Sequence, residues 1–145
     1  MGKLNSKFEA LLLTNDLLDR LVASHNKVFG GSIRKIFKPI AYDELAMELS
    51  DVIEGLSALR GDYPQFDETA VPGLNWSQVD RTYFEFCERV IQTYSLLTLI
   101  CLRLHKKARG ESYPMAEYDH DVNTYKQMVS EYQPIGQVLN SQLRM

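Results

Sequence analysis

Three histidines and one glutamate are the residues best suited to metal chemistry in this chain: His25, His105, His120 and Glu117. Imidazole and carboxylate groups are the usual ligands of first-row metals, and Glu117-Tyr118-Asp119-His120 has the Glu-x-x-His spacing that puts two ligands on one helix face in di-iron bundles. Such sites also need a second Glu-x-x-His pair and glutamates from two further helices, and the sequence carries no recognisable second pair. His120 also falls about 200° around a helix from Tyr118, away from the apolar seam on which Tyr118 sits. His25 lies on an apolar face, where a hydrogen-bonded, partly buried imidazole is the simpler role. No cofactor is implied.

Cations form the second group. Lys27, Arg34, Lys35 and Lys38 cluster early in the chain, and Arg103, Lys106, Lys107 and Arg109 cluster late, eight of sixteen lysines and arginines. An up-and-down helical arrangement would bring the two clusters to one pole, together with the histidines. Cations near helix C-termini complement the helix dipole. The same pole, with backbone amides around Gly30-Gly31-Ser32, could take an anion or RNA. The lysine-serine part of a phosphate-binding loop is missing, and the polar side of the patch has few aromatics on which bases could stack. Cys87 and Cys101 sit 14 residues apart on one predicted helix, roughly 21 Å along its axis, so they cannot pair. They read as buried, reduced thiols, inert as nucleophiles and consistent with a cytoplasmic protein.

Arg20-Leu21-Val22-Ala23-Ser24-His25 resembles the arginine, four residues, histidine motif of ribonucleases of the HEPN family, which are also helical bundles of about this length. The resemblance covers six residues on the first helix, whereas that family carries its motif late in the bundle, and no membership follows from it. It would imply that Arg20 holds a phosphate and that His25 supports acid-base cleavage.

The elements that must position these groups are all helical. The spacing predicts a first helix from Ser6 to Phe29, with Phe8, Leu11, Leu12, Leu18, Leu21, Val22, Val28 and Phe29 on a broad inner face, ended by Gly30-Gly31. Ser32 to Lys38 reads as a short basic connector helix stopped by Pro39. A second helix starts at an Asp43 cap, carries Leu45, Leu49, Val52, Leu56 and Leu59, and closes at Gly61. Residues 61–76 read as a pinned loop. The third helix, Ser77-capped and ended by Gly110, is apolar on most sides at its middle and belongs at the centre of a bundle. Met115, Tyr118, Val122, Tyr125, Val129 and Tyr132 then make the cleanest heptad stripe, after which Pro134 opens a short C-terminal helix. The stripe either packs inside the chain or offers Tyr118, Tyr125 and Tyr132 as an interaction seam.

The fold expected is therefore all-α, an elongated up-down four-helix bundle with a short basic connector helix and a short C-terminal helix, in one domain over residues 1–145. A third helix of about 32 residues spans roughly 48 Å, more than the diameter near 38 Å of a compact domain of this size. The bundle must be long, the helix must kink, or a partner must cover its end. A net charge of −3 sets up no overall basic field. The most apolar window, Leu96 to Leu104, is too short for a membrane span, and the N-terminus is no signal peptide. No nucleophile pairs with a base by spacing. The expected function is a non-enzymatic bundle acting through protein contacts, a small accessory or adaptor protein, with self-association as a homodimer among its forms. The alternatives are anion or RNA binding with nuclease activity at the basic pole, and a metal-dependent enzyme using the three histidines and Glu117.

Overall fold

The computed structural model describes residues 6–30, 40–65 and 74–143. They form four helices, α1 (Lys7–Phe29), α2 (Tyr42–Asp62), α3 (Trp76–Ala108) and α4 (Met115–Leu143), with one 3-10 turn at Tyr63–Gln65 after α2. The expected connector helix, with Arg34, Lys35 and Lys38, lies outside the described residues.

Cross-links between helices give the topology. Arg20 of α1 pairs with Glu48 of α2, Arg60 and Asp43 of α2 lie against Glu88 and His105 of α3, and Arg103 of α3 pairs with Asp121 of α4. Each consecutive pair is antiparallel. α3 packs closely against both α2 and α4, while α1 packs mainly against α2. The 33 residues of α3 span roughly 50 Å. With 29 residues α4 nearly matches it, so the length of α3 is answered by an elongated bundle.

α3 is central because it packs on both α2 and α4, with Val79, Tyr83, Cys87, Val90, Leu97, Ile100 and Cys101 fully enclosed. An outer stripe that includes Arg81, Glu85, Glu88, Gln92, Leu99 and Leu102 faces solvent, so the apolar side chains of its middle do not all find neighbours. Its C-terminus is closed by Gly110 at φ 97°, a conformation costly for any residue with a Cβ. There the Gly110 and Glu111 amides donate to the Lys107 and Lys106 carbonyls, as in a Schellman motif.

Several boundaries differ from the sequence reading. α3 is capped by Asn75, whose side chain accepts from the Gln78 amide at 3.2 Å, and not by Ser77. Asn and Ser cap equally well, and the earlier start brings Trp76 into the first turn, where it is buried. α2 runs through Gly61, because burial of Tyr63 continues the inward stripe Leu49, Val52, Leu56 past the glycine. The short C-terminal helix is not separate: Pro134 lies inside α4. Its ring is exposed, and the inward stripe Tyr125, Tyr132, Leu139 passes it unbroken. Packing on α3 thus outweighs the roughly 3 kcal/mol that an interior proline costs.

The tyrosine seam of α4 is spent within the chain. Tyr125 and Tyr132 are buried and Tyr118 is half-buried. The Tyr94 and Tyr132 hydroxyls meet at 2.6 Å, and the Tyr94 ring sits edge-on to Tyr125. Tyr125 and Tyr132 are therefore committed to packing on α3 within the chain and do not stand out as an exposed seam. Removing one hydroxyl of the pair, in Tyr94→Phe or Tyr132→Phe, leaves the other buried without its partner and should cost about 1–3 kcal/mol. Chemical denaturation should show the double variant losing less than the sum of the two.

Candidate functional site

α1 carries two adjoining stripes. Ala10, Thr14, Leu21, Ser24 and Val28 are buried against the bundle. Beside them Phe8, Leu11, Leu12, Asn15, Leu18 and Val22 line an open groove between α1 and α4 of about 840 Å³. The sequence reading placed Phe8, Leu12 and Val22 on the inner face, yet they are 37, 69 and 38% exposed. The facing side of α4 bears on this: after Tyr132 it sets the amides Gln133, Gln137 and Asn140 among Leu139 and Leu143, so the α1 stripe meets a partly polar wall.

The groove closes at one end and opens at the other. Towards the C-terminus of α1, His25 Nδ1 and the Tyr125 hydroxyl are paired at 2.6 Å, and Phe29 stacks on the Tyr125 ring at 5.7 Å between centroids. Away from this clasp the helices part over a floor of Thr14, Phe86, Tyr132 and Leu139. Gly136 sets the floor's depth. A Cβ there would lie 2.9 Å from Phe86 Cε1, so the glycine lets α4 press onto the ring. Every lining residue is uncharged.

A buried polar cluster holds the open end. Lys7 Nζ bonds both Asp80 carboxylate oxygens, at 3.1 and 2.9 Å, and lies over the Tyr63 and Trp76 rings. Tyr63 donates to the same carboxylate at 2.8 Å. Thr14 and Tyr83 meet at 2.9 Å, joining α1 to α3 beneath the groove. Burial raises the Tyr63 and Tyr83 hydroxyls far above the ordinary phenol range, so both stay protonated and available for these bonds.

The residues singled out for chemistry are held apart. His25 is tied to Tyr125, His105 lies 4.0 Å from Asp43 across α2, and Glu117 and His120 are exposed on α4. Among the described residues no group of three or more His, Cys, Asp or Glu side chains could hold a metal ion, so His25, His105, His120 and Glu117 do not form the metal set weighed above. Arg20 makes two hydrogen bonds to Glu48 on α2 while His25 faces α4, so the residues of the HEPN-like motif share no site.

Of the late basic cluster, Lys106, Lys107 and Arg109 are exposed, as is Lys27 at the end of α1. Arg103 is committed to Asp121 at 2.6 Å, and Tyr113 donates to the same carboxylate. Burial works to raise the Asp121 carboxyl, but the hydrogen bonds from Tyr113 and Arg103 outweigh it and hold it below the usual range. Cys87 and Cys101 are buried and unpaired, and burial pushes each thiol up to about 12. No helix among the described residues is long and apolar enough to cross a membrane. Comparison of the chain with protein-family models, curated proteins and solved structures finds no match.

Sequence reasoning missed the groove. The available signal was the width of the apolar arc on α1 set against the amides at the end of α4, a mismatch between neighbours.

The clasp should respond to pH. Burial lowers the His25 imidazole below its ordinary value, and the nearby Lys126 ammonium adds to the shift. Well above the ordinary imidazole value of about 6.5, His25 is neutral in both folded and unfolded chains and its share of stability is complete. As pH falls the unfolded chain takes up the proton first, so stability declines until folded His25 titrates too. His25→Asn should flatten the fall in thermal midpoint between about pH 7 and pH 5, relative to the unsubstituted chain, whatever its effect at neutral pH.

Proposed function

We propose that this chain is a non-enzymatic interaction bundle, a small accessory or adaptor protein that works by docking a protein helix into the groove between α1 and α4. The observation that carries the reading is the groove itself: an uncharged trough whose α1 wall leaves Leu12 69% exposed. Leaving leucine in water forgoes about 1.5–3 kcal/mol relative to burying it. A contiguous apolar trough of this kind is characteristic of a binding surface, whereas isolated surface leucines are common and need no partner. The shape suits helix-in-groove recognition, in which apolar anchors at i, i+3, i+4 and i+7 fill such a trough. The α4 amides would flank an incoming helix with donors and acceptors, supplying direction without charge. The free, buried thiols support a reducing, cytoplasmic setting.

A photo-crosslinking amino acid placed at Leu12 in the living cell tests this reading, with the exposed Asp51 on α2 as a control position. Discrete protein adducts should form from position 12 and not from position 51. Absence of adducts from position 12, or the same adducts from both positions, would overturn the groove as the working surface.

A further inference from the structure

We infer that the helix the groove receives is α1 of a second copy of this chain, the two α1 helices pairing parallel and in register about Asn15. This rests on the groove being a docking surface and names its occupant. Five of the seven α1 residues that line the groove follow a heptad: Phe8, Asn15 and Val22 fall at a positions and Leu11 and Leu18 at d, with Leu12 at e and Thr14 at g beside them. The buried stripe against α2 and α3 uses a different part of the helix, the c and g positions Ala10, Thr14, Leu21, Ser24 and Val28. α1 therefore carries a complete bundle-facing stripe and, beside it, a coiled-coil seam. Over residues 8–22 the a positions Phe8, Asn15 and Val22 are exposed while the d leucines, Leu11 and Leu18, are half-buried along the groove, and beyond them His25 and Phe29, the next d and a, are closed by Tyr125.

Asn15 identifies the partner more narrowly than the leucines do. An exposed asparagine in the middle of an apolar seam weakens generic hydrophobic docking, because it must find a hydrogen-bond partner once buried. At an a position of a parallel helix pair it faces its own copy, and two carboxamides, each donor and acceptor, satisfy one another while fixing the register. The uncharged lining has the same logic: an isologous interface sets each residue near its own copy, where a charge would meet a like charge. Asp19, at e, would lie opposite the partner's Thr14, at g, and not opposite a second carboxylate.

Symmetry selects the parallel arrangement. With the two-fold axis running along the helix pair, the α4 helices lie on opposite sides of it, and each α1 enters the other copy's groove. An antiparallel pair has its two-fold perpendicular to both helices. Both α4 helices would then come to one side and compete for the same space. In the parallel pair the exposed Leu12, at e, turns into the partner's trough towards the α4 amides, which accounts for its position on the rim.

The test uses the purified full chain in sedimentation equilibrium from roughly 1 µM to several hundred micromolar. A monomer–dimer equilibrium is expected, weakened about tenfold or more by Leu12→Glu with the helical circular dichroism and thermal midpoint of the dilute protein unchanged. The register is read with Asn15→Cys. At an a position of a parallel pair the two Cα atoms come within the roughly 5–7 Å that a disulfide spans, and the native thiols are buried, so oxidised glutathione should yield a covalent dimer. The inference is overturned by a chain that stays monomeric, by a dimer that Leu12→Glu leaves intact, or by a dimer that Asn15→Cys fails to cross-link. A monomeric chain whose position 12 still cross-links to a different protein in the cell would refute the second copy and keep the docking groove. A monomer giving no such adduct would refute both.

Discussion

A buried tyrosine must find a partner for its hydroxyl, and that requirement fixes how the helices of this bundle sit against one another. Apolar side chains accept many registers, since a leucine displaced by a few ångströms meets another methyl group. A phenol hydroxyl with no acceptor or donor costs about 1–3 kcal/mol. Here the hydroxyls join different parts of the chain: Tyr83 to Thr14, Tyr94 to Tyr132, Tyr125 to His25, Tyr63 to Asp80 and Tyr113 to Asp121. Three of these pins link helix pairs, α1 to α3, α3 to α4 and α1 to α4. The other two secure the ends of α3 through Asp80 and the turn into α4. One displaced pin would strand two polar groups at once, so the set acts as a discrete lock on a core that leucine and valine alone would leave permissive.

The lock explains why the groove stays open. α1 cannot roll towards α4 to bury Leu12, because Lys7, Thr14 and His25 are held at three heights by Asp80, Tyr83 and Tyr125. Rolling α1 by even one residue's worth of rotation would break all three contacts to gain the burial of a few methyl groups. The exposed stripe is therefore not slack in the packing. It is the consequence of a helix oriented by its polar contacts, with its remaining apolar surface turned outwards.

How much of this could be read in advance depended on the kind of signal. α3 was legible because its buried side chains recur every three or four residues from Val79 to Cys101, and Gly110 ends it where a left-handed residue is needed. The tyrosine stripe of α4 was legible as a stripe, since periodicity reports which side chains share a face. Whether that face meets the chain's own α3 or another molecule is decided by Tyr94, 38 residues away along the chain, which no local pattern contains. Gly61 reads as a stop and Pro134 as the start of a separate helix, and both are overruled by burial beyond them, at Tyr63 and Leu139. The histidines drew attention because of their type. Their placement on α1, α3 and α4 was predictable, but the angles that send His25 to Tyr125 and leave His120 in water emerge from packing.

The groove was least legible for a related reason: hydrophobicity records what a residue could bury, and not whether the same chain buries it. Phe8, Leu12 and Val22 have the same apolar character as Leu21 and Val28, and an octad of such residues on one helix reads as one broad inner face. Their separation into a closed and an open stripe becomes visible only when the opposing surface is known, here the amides of Gln133, Gln137 and Asn140. Asn15 is the one residue within α1 that marks the division. A polar side chain among leucines is a poor choice for an interior that must be sealed and a good one for a surface that must select its partner, because its cost falls on every neighbour that lacks a matching amide. The polar contacts that orient α1 inside the bundle and the single amide on its open seam thus obey the same rule, an unmet hydrogen bond deciding between arrangements that hydrophobic contact would leave nearly equal.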